Sequence, residues 1–136
     1  MVRQREEARA DVEMDEVMQR KLLGLVGLGV RARNAVVGVE QVRHAALRNK
    51  LRIAIVAPDA SRHSRDKVLP LLLARRVTVV EGPTAAALGA AVGKDSAAVV
   101  GITDSDLAAG VRRLVGSAGR VERNSGPTGA RQEGSS

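Results

Sequence analysis

The 136-residue sequence predicts an α/β fold, a three-layer α/β/α sandwich around a four-stranded mixed sheet. Segments with apolar residues at three- and four-residue spacing alternate along the chain with short runs of Val and Ile, as in folds where helices alternate with buried strands. Apolar residues make up 44% of the chain and none is Phe, Trp or Tyr, so the core must be built from Val, Leu, Ile and Ala. The length suits one domain.

The first half of the chain predicts helix, strand, helix and strand in that order. The first helix is expected to weaken and end at Gly24, Gly27 and Gly29, and a basic connection, 31–34, follows it. The valines before Gly38 predict a short strand, and the helical spacing after it extends to about Asn49. The apolar faces that predict the two helices comprise Met14, Val17, Met18, Leu22, Leu25 and Val26, then Val42, Ala45 and Ala46.

The second half continues the alternation, with local signals for where its helices begin. Asp59 and Ser61 supply cap residues for a helix that Pro70 is expected to kink or split. Thr84 is expected to cap a helix of small residues, and Thr103 or Asp104 to cap the last one. The strands are expected at 51–57, 77–80 and 97–102, and the later helices through 68–73, at 85–92 and through Leu107, Val111, Leu114 and Val115.

Composition divides the chain into three parts and indicates a cytoplasmic protein. Residues 1–12 are a charged N-terminal arm, 13–115 the α/β/α domain, and 116–136 a disordered basic tail rich in Gly and Ser. The charged start is unlike a signal peptide, and no apolar run is long enough to span a membrane. The absence of cysteine excludes disulfides, thiolate zinc sites and cysteine nucleophiles.

The charge of the chain favours a polyanionic partner. The net charge is +7 and the pI is near 11.2. Without aromatic side chains, the protein cannot stack on bases as the common single-strand-binding sheets do. RNA would have to be bound through hydrogen bonds, charge and aliphatic contact.

The best candidate for such binding is the junction of a strand and a helix at Gly38. A glycine lets another backbone approach closely, and the start of a helix offers unpaired amides with a partial positive charge. Glu40 and Gln41 beside it are polar side chains that can read base edges, and Arg43 follows. The alternative is an ordinary strand-to-helix connection with a tight-turn glycine.

Other motifs give no support for an enzyme, a cofactor or a metal site. The stretch from Gly89 to Asp95 has the wrong glycine spacing for a P-loop and no Ser or Thr after its lysine. Asp104 and Asp106 could hold a hard metal, but such residues more often cap a helix. His44 and His63 lie far apart and have no cysteine to complete a metal site.

The arginines form two groups along the chain. The first lies around the junction and could converge in space, whereas the second is better explained as a solvated helix surface. The first group is Arg31, Arg33, Arg43 and Arg48, and the second is Arg62, Arg65, Arg75, Arg76, Arg112 and Arg113.

Four motifs follow one another along the chain: Arg31-Ala-Arg33-Asn34-Ala-Val-Val-Gly38-Val39-Glu40-Gln41, Ala57-Pro-Asp59-Ala-Ser61, Leu88-Gly89-Ala-Ala-Val-Gly93-Lys94 and Val99-Val-Gly-Ile102-Thr103-Asp104. In this order they resemble the bacterial branch of the kink-turn RNA-binding ribosomal-protein superfamily, the family of archaeal large-subunit protein "seven-Ae" and eukaryotic "thirty-e". The resemblance covers roughly residues 14–115. It implies the same α/β/α sandwich and the binding of kink-turns, which are sharply bent RNA duplexes with tandem sheared G·A pairs.

The resemblance also implies which residues contact RNA. The family pattern is Gly-x-Asn-Glu-x-x-Lys, so Gly38 matches the glycine, and Glu40, Gln41 and His44 stand at the Asn, Glu and Lys positions. In the family, aliphatic residues of the loop before the last strand make a second contact, with an extruded base. In this chain the loop is short and polar, so Lys94 could touch phosphate but the aliphatic contact is missing.

The resulting hypothesis is a non-catalytic protein, expected to be a monomer without cofactor, that recognises structured RNA. A kink-turn is the most specific candidate, with ribosomal RNA and the ribosome as possible partners. The rival hypotheses are a ribosome-associated protein-interaction module with a decayed RNA surface, and a recognition domain that serves an RNA-modifying enzyme in trans. The predicted RNA-binding residues are Arg31, Arg33, Asn34, Gly38, Val39, Glu40, Gln41, Arg43, His44 and Lys94.

Overall fold

The computed structural model describes residues 15–116 and 120–121, in which five helices and five strands occur. The helices are α1 (Glu16–Arg31), α2 (Val39–Leu47), α3 (Arg62–Ala74), α4 (Ala85–Val92) and α5 (Ser105–Val115). The strands are β1 (Ala35–Val37), β2 (Ile53–Val56), β3 (Thr78–Glu81), β4 (Val99–Ile102) and β5 (Arg120–Val121). The predicted order of alternating helices and strands is confirmed.

The strands form one mixed sheet in the order β1-β4-β2-β3-β5. β2 and β3 are parallel, and β4 runs antiparallel to both of its neighbours, β1 and β2. β1, β2 and β3 therefore all finish at one end of the sheet, where β4 begins. We call this the exit end, and the opposite end, where these three strands begin and β4 finishes, the entry end.

Helices cover both faces of the sheet, which gives the predicted three layers. On one face α1, α4 and α5 bury Leu22, Val26, Leu88 and Val111 against the strands. On the other face α2 and α3 bury a second set, Val42, Ala45, Ala46, Val68 and Leu72. Every residue of β2 is buried, because Ile53 and Ile55 face the first cluster while Ala54 and Val56 face the second. Full burial of each Leu, Ile or Val side chain contributes about 1.5–3 kcal/mol.

Four of the five described helices begin at a residue whose side chain accepts a hydrogen bond from a first-turn amide. Asp15 accepts from Met18 at 2.8 Å, and Ser61 accepts from Ser64 at 3.1 Å. Thr84 accepts from Ala87 at 3.2 Å, and Asp104 accepts from Leu107 at 2.8 Å. The predicted caps at Ser61 and Thr84 are therefore confirmed, and Asp104, not Thr103, caps α5.

Asp59 has a different role from the one its sequence position suggests. Its carboxylate accepts from the amide of Ala85 at 2.8 Å, so it caps α4 and not the helix that follows it in the chain. The bond joins the loop after β2 to the loop after β3 at the exit end of the sheet. Because its two residues are distant in sequence, local patterning could not predict it.

The first helix does not end among its glycines but continues to Arg31. A β-carbon added to Gly29 would lie 2.6 Å from Leu107 Cδ2, and one added to Gly27 would lie 3.1 Å from the Ala91 carbonyl oxygen. The two glycines thus allow α5 and α4 to pack closely on α1, which offsets their low helix propensity.

Pro70 does not divide α3, which runs without interruption from Arg62 to Ala74. A proline inside a helix removes the hydrogen bond to the carbonyl four residues earlier. That carbonyl belongs to Asp66, which is exposed, so water can replace the missing donor.

A fifth strand extends the sheet beyond the four strands predicted. β5 pairs antiparallel with β3, with Val121 opposite Val79 and Arg120 opposite Val80. These residues fall in the segment 116–136 that composition assigns to a disordered tail, so at 120–121 the structure differs from that assignment. The outer edge of β3 offers unpaired backbone groups, and a two-residue pairing there has no compositional signal. The N-terminal arm, 1–12, and residues 122–136 lie outside the described residues.

Candidate nucleic-acid interface

Gly38 lies between β1 and α2 at the exit end, in a conformation that favours glycine. Its φ is 97° and its ψ is 160°, a region that side-chain-bearing residues enter only with strain. Its amide donates to the Val99 carbonyl at 2.9 Å, which fixes it against the start of β4. A β-carbon built on Gly38 would meet no atom within 4 Å, so the space above it is open to a partner.

The first turn of α2 presents amide donors for which the described part of the chain provides no acceptor. Its N-cap is Gly38, which has no side chain to accept a hydrogen bond, whereas the other four described helices have side-chain caps. The amide of Val42 bonds to the Gly38 carbonyl at 3.0 Å, but those of Val39, Glu40 and Gln41 have no acceptor among residues 15–116. Three donors and the positive end of the helix dipole therefore face the open space.

The side chains of this first turn differ in how strongly they are engaged. Gln41 is exposed, and its amide group has no hydrogen-bond partner in the described part of the chain. Glu40 is exposed as well, with its carboxylate 3.8 Å from the Lys67 ammonium. An exposed pair at that distance holds the carboxylate only weakly. Val39 is half-buried and packs on the core between α2 and α3, so it positions the turn.

Arg43 is engaged within the protein. Its guanidinium donates to the carbonyl of Lys67 at 2.6 Å, which ties α2 to α3. Local sequence patterns do not indicate this bond, because Lys67 lies on a different helix. Arg43 therefore stabilises the helix pair, and its charge is turned toward α3.

His44 is six residues beyond Gly38, about 9 Å along the axis of α2. Its Nε2 lies 3.0 Å from the Arg48 guanidinium, one turn further on. The histidine thus belongs to the middle of the helix, and Arg48, the C-cap of α2, lies toward the entry end.

Arg31, Arg33 and Asn34 precede β1, which places them at the entry end of the sheet. Arg31 ends α1, and its guanidinium lies 3.4 Å from the position that a β-carbon on Gly27 would occupy. Asn34 is held by backbone bonds, since its carbonyl accepts from Thr103 at 2.9 Å. The structure thus separates these residues from the junction by the length of β1, and the suggested convergence of Arg31 and Arg33 with Gly38 is not found.

Lys94, in contrast, is brought to the same end as Gly38. It is exposed, without a side-chain partner among the described residues, in the loop between α4 and β4. The loop is held firmly: the Lys94 amide donates to the Gly89 carbonyl at 2.8 Å and that of Ala97 to the Ala85 carbonyl at 2.9 Å. Since Gly38 bonds to Val99 at the start of β4, the loop lies beside the junction.

The exit end also contains charged residues whose sequence positions do not place them near the junction. Lys67 is the example: it contacts both Glu40 and Arg43, and only the packing of α2 on α3 brings it there. Two carboxylates of this end are engaged internally, Asp59 as the cap of α4 and Glu81 in an ion pair with Arg65 at 3.1 Å. The surface around the junction is therefore mixed in charge, and it is not uniformly acidic.

The arrangement suits recognition by hydrogen bonds. Backbone donors, an amide side chain and a carboxylate converge on one open surface, with lysines at its margin. Within residues 15–116 and 120–121, no three His, Asp or Glu side chains are grouped so as to hold a metal ion. The same residues include no helix with the length and apolar character that crossing a membrane requires.

Comparisons with solved structures agree with this architecture. The chain is similar to a protein with unknown function from Bacillus halodurans C, with 30% identity and a TM-score of 0.64, over 69% of this chain and 95% of that one. It is also similar to the 15.5kD RNA binding protein of Giardia lamblia, with 26% identity and a TM-score of 0.65, over 81% of this chain and 94% of that one. No curated protein sequence matches the chain significantly.

The family assignment rests on a match that spans most of the folded part. Residues 20–110 match the model of the Ribosomal protein L7Ae/L30e/S12e/Gadd45 family, from within α1 to within α5. The matched region contains the whole junction, the loop with Lys94 and the strands β1 to β4. The chain therefore belongs to the Ribosomal protein L7Ae/L30e/S12e/Gadd45 family.

Proposed function

We propose that the chain binds structured RNA at the Gly38 junction and that it acts without catalysis. The observation that carries the proposal is the first turn of α2, which has open space above Gly38 and three amides without a protein acceptor. Family membership and the similarity to an RNA-binding protein of Giardia lamblia support RNA as the ligand. The most specific ligand we propose is a kink-turn with tandem sheared G·A pairs.

The mode of binding follows from the groups around the junction. The RNA backbone approaches over Gly38, where a side chain would block it, and the free amides of α2 donate to a phosphate oxygen or to an acceptor on a base. Gln41 and Glu40 then read the edge of a guanine, because a side-chain oxygen accepts hydrogen bonds from the guanine amino and imino groups.

Charge at the margin of the site supplies the remaining affinity. Lys94 on the α4–β4 loop and Lys67 on α3 flank the junction and are both exposed. Each phosphate that they neutralise releases counterions, so the affinity falls as salt rises. Arg43 and His44 act in this scheme mainly through the stability of α2, because each is hydrogen-bonded within the protein.

Mobility-shift titrations with a kink-turn RNA and with a straight duplex of equal length and composition test the proposal. The protein is expected to bind the kink-turn much more tightly, since only a sharply bent backbone brings a guanine edge and a phosphate to the same helix start. Equal affinity for the two RNAs would contradict shape-specific binding at the junction. No binding to either would contradict RNA as the ligand.

The second candidate is a protein-interaction module, associated with the ribosome, on the same fold. The observation that favours it is the exposed carboxylate of Glu40 in the first turn of α2, where a negative charge opposes the approach of phosphate. Partners that co-purify with the protein and survive ribonuclease would favour this candidate, and their loss on digestion would favour RNA binding. Cytoplasmic location, the ribosome as partner and a monomeric state stay predictions.

A further inference from the structure

The entry end of the sheet, opposite the junction, carries a cluster of six exposed cations that the proposed function does not use. We call it the basic rim, and we propose that it binds the phosphate backbone of a second RNA segment, separate from the one at the junction. The basic rim consists of Arg48, Lys50, Arg52, Arg75, Arg76 and Arg112.

The sheet topology makes these residues neighbours. β2 and β3 are adjacent and parallel, with Ile53 opposite Thr78, so the residues just before the two strands lie side by side. Neighbouring strands are about 4.8 Å apart, so Arg52 and Arg76 are within reach of consecutive phosphates. Arg48 and Lys50 precede β2 in the same turn, at the C-terminal end of α2.

Hydrogen bonds hold two of the guanidinium groups in this turn. Arg75, at the end of α3, donates to the Asn49 side chain at 2.8 Å and to the Leu47 carbonyl at 3.4 Å. Arg112, on α5, donates to the Arg52 carbonyl at 2.9 Å. Cations from three helices thus converge on the turn before β2. Because hydrogen bonds already restrict two of these side chains, ordering them on binding a ligand costs less entropy.

Neutralising carboxylates are missing from the two segments that form most of this surface. Residues 41–58 and 67–80 contain no Asp or Glu. The ion pairs Arg65–Glu81 and Lys67–Glu40, found in the described part of the chain, involve no residue of the basic rim. Asp104 and Asp106 also lie at the entry end, at the start of α5, but Asp104 is engaged as a cap and Asp106 is six residues, about 9 Å along the helix axis, from Arg112.

The chemistry of the basic rim suits the backbone of an RNA duplex. Guanidinium groups bind phosphate oxygens through paired hydrogen bonds, and five of the six cations are arginines. The rim has no aromatic residue, so it cannot hold single strands by stacking, whereas duplex phosphates need only charge and donors.

The distance between the two surfaces requires a separate RNA segment. The four residues of β2 span about 13 Å, and the turns at both ends add to that distance. A phosphate on the basic rim therefore cannot belong to the nucleotides seated at Gly38. The inference shares RNA as ligand with the proposed function, but binding at the rim does not require the junction to be occupied.

The test compares two triple variants that lose the same charge. The rim variant is Lys50→Gln with Arg52→Gln and Arg76→Gly; Arg76 has a φ of 60°, which glycine adopts without strain, so its loss does not threaten folding. The control variant is Arg20→Gln with Lys21→Gln and Arg113→Gln, three exposed residues of α1 and α5. Fluorescence anisotropy with a straight RNA duplex, over a series of salt concentrations, gives affinity and salt slope for each.

The rim variant is expected to bind the duplex about tenfold or more weakly than the parent, with a salt slope smaller by about two to three. The control variant is expected to keep the parent's affinity, and Gly38→Asp is expected to leave duplex binding unchanged while lowering the kink-turn affinity to about that of the straight duplex. Equal losses in the two triple variants would mean that net charge alone is responsible and would overturn the inference. So would a parent protein that does not bind the duplex.

A protein ligand is the rival occupant, because Leu47 and Leu73 are half-exposed on the helices beside the rim. Polyglutamate at equal charge concentration is the competitor that separates the two cases. If it displaces the duplex no better than added salt does, phosphate recognition is supported. If it displaces the duplex efficiently from the parent and fails to bind the rim variant, the rim is an acidic-protein site and the RNA assignment is wrong.

Discussion

Two helix starts at the exit end of the sheet, those of α2 and α4, have the same topological position and opposite properties. Each follows a strand that finishes there, and each has a glycine directly after the strand, Gly38 or Gly82. A β-carbon on Gly82 would lie 2.9 Å from Ile55 Cγ2 in the core, whereas one on Gly38 would meet nothing within 4 Å. One glycine permits internal packing, and the other faces open space.

The amide donors of the two helices differ in the same way. In α4, Ala85 is satisfied by Asp59 at 2.8 Å and Ala87 by Thr84 at 3.2 Å. In α2 the first turn has no side-chain cap. A strand-glycine-helix sequence is therefore not in itself a binding site. What distinguishes α2 is that the amides of Val39, Glu40 and Gln41 have no acceptor among the described residues.

The largest effect on kink-turn affinity is expected for Gly38→Asp, which fills the open space at the start of α2. Gly38→Asp places a carboxylate where the RNA backbone would lie, and like-charge contact costs several kcal/mol, so kink-turn affinity should fall by about a hundredfold or more. The strained φ of 97° should also lower the free energy of unfolding by about 1–3 kcal/mol. Mobility shifts measure the first effect and denaturant unfolding the second. A folded variant with the parent's affinity would exclude the junction as the RNA site.

Gly82→Ala, the matched change at the start of α4, should lower stability and leave RNA binding unchanged. Gly82→Ala forces a methyl group against Ile55 and Leu22, and overpacking of this kind costs about 1–3 kcal/mol of unfolding free energy. The kink-turn affinity of the folded fraction should stay within twofold of the parent, because Asp59 and Thr84 already satisfy two first-turn amides of α4 and Gly82 faces the core. A selective loss of RNA binding with unchanged stability would show that the two starts have been assigned the wrong roles.

Removing the cap of α4 should have a smaller effect of the same kind. Thr84→Ala leaves the Ala87 amide without its acceptor, and the loss of an N-cap costs about 1 kcal/mol. Thr84→Ser keeps the hydroxyl and is the control, expected to unfold at nearly the parent's denaturant midpoint. If Thr84→Ala unfolds at that midpoint too, the hydrogen bond adds nothing and the contrast between the two helices weakens.

The smallest effect concerns the charge beside the open amides. Glu40→Gln removes a carboxylate that is 78% exposed and only weakly paired with Lys67, so stability should change by less than about 0.5 kcal/mol. The affinity for a kink-turn should rise a few-fold at low salt, and the gain should diminish at high salt because of screening. The amide of the variant keeps an oxygen that can accept from guanine, so a fall in affinity would instead mean that reading the base requires the negative charge of the carboxylate.

The fold could be predicted from the sequence because its signals are local. The periodicity of Val42, Ala45 and Ala46 predicts one buried face, and Thr84 predicts the start of the helix that it caps. Features that depend on contacts distant in sequence could not be predicted. Gly29 is tolerated within α1 because Leu107 packs against it, and β5 is ordered because it pairs with Val79 and Val80.

The candidate site could be predicted only in part, for the same reason. The place of Gly38 between a strand and a helix could be predicted, but the open space above it could not, because Gly82 has the same place and faces the core. The surrounding charges do not, because Arg31 and Arg33 are near Gly38 in the chain but β1 carries the chain away from them to the other end of the sheet. Arg43 is close to the junction but bonds to Lys67, and nothing in the local sequence indicates that bond.

The two edge strands of the sheet determine how easily copies of this protein can aggregate by pairing their strands. β5 covers the outer side of β3, and on the other flank β1 has three residues, so that flank offers very few unpaired donors and acceptors. An edge this short is a poor template for the strand stacking that leads to fibrils. Concentrated solutions of the folded protein should therefore resist fibril formation, although more than two-fifths of its residues are apolar.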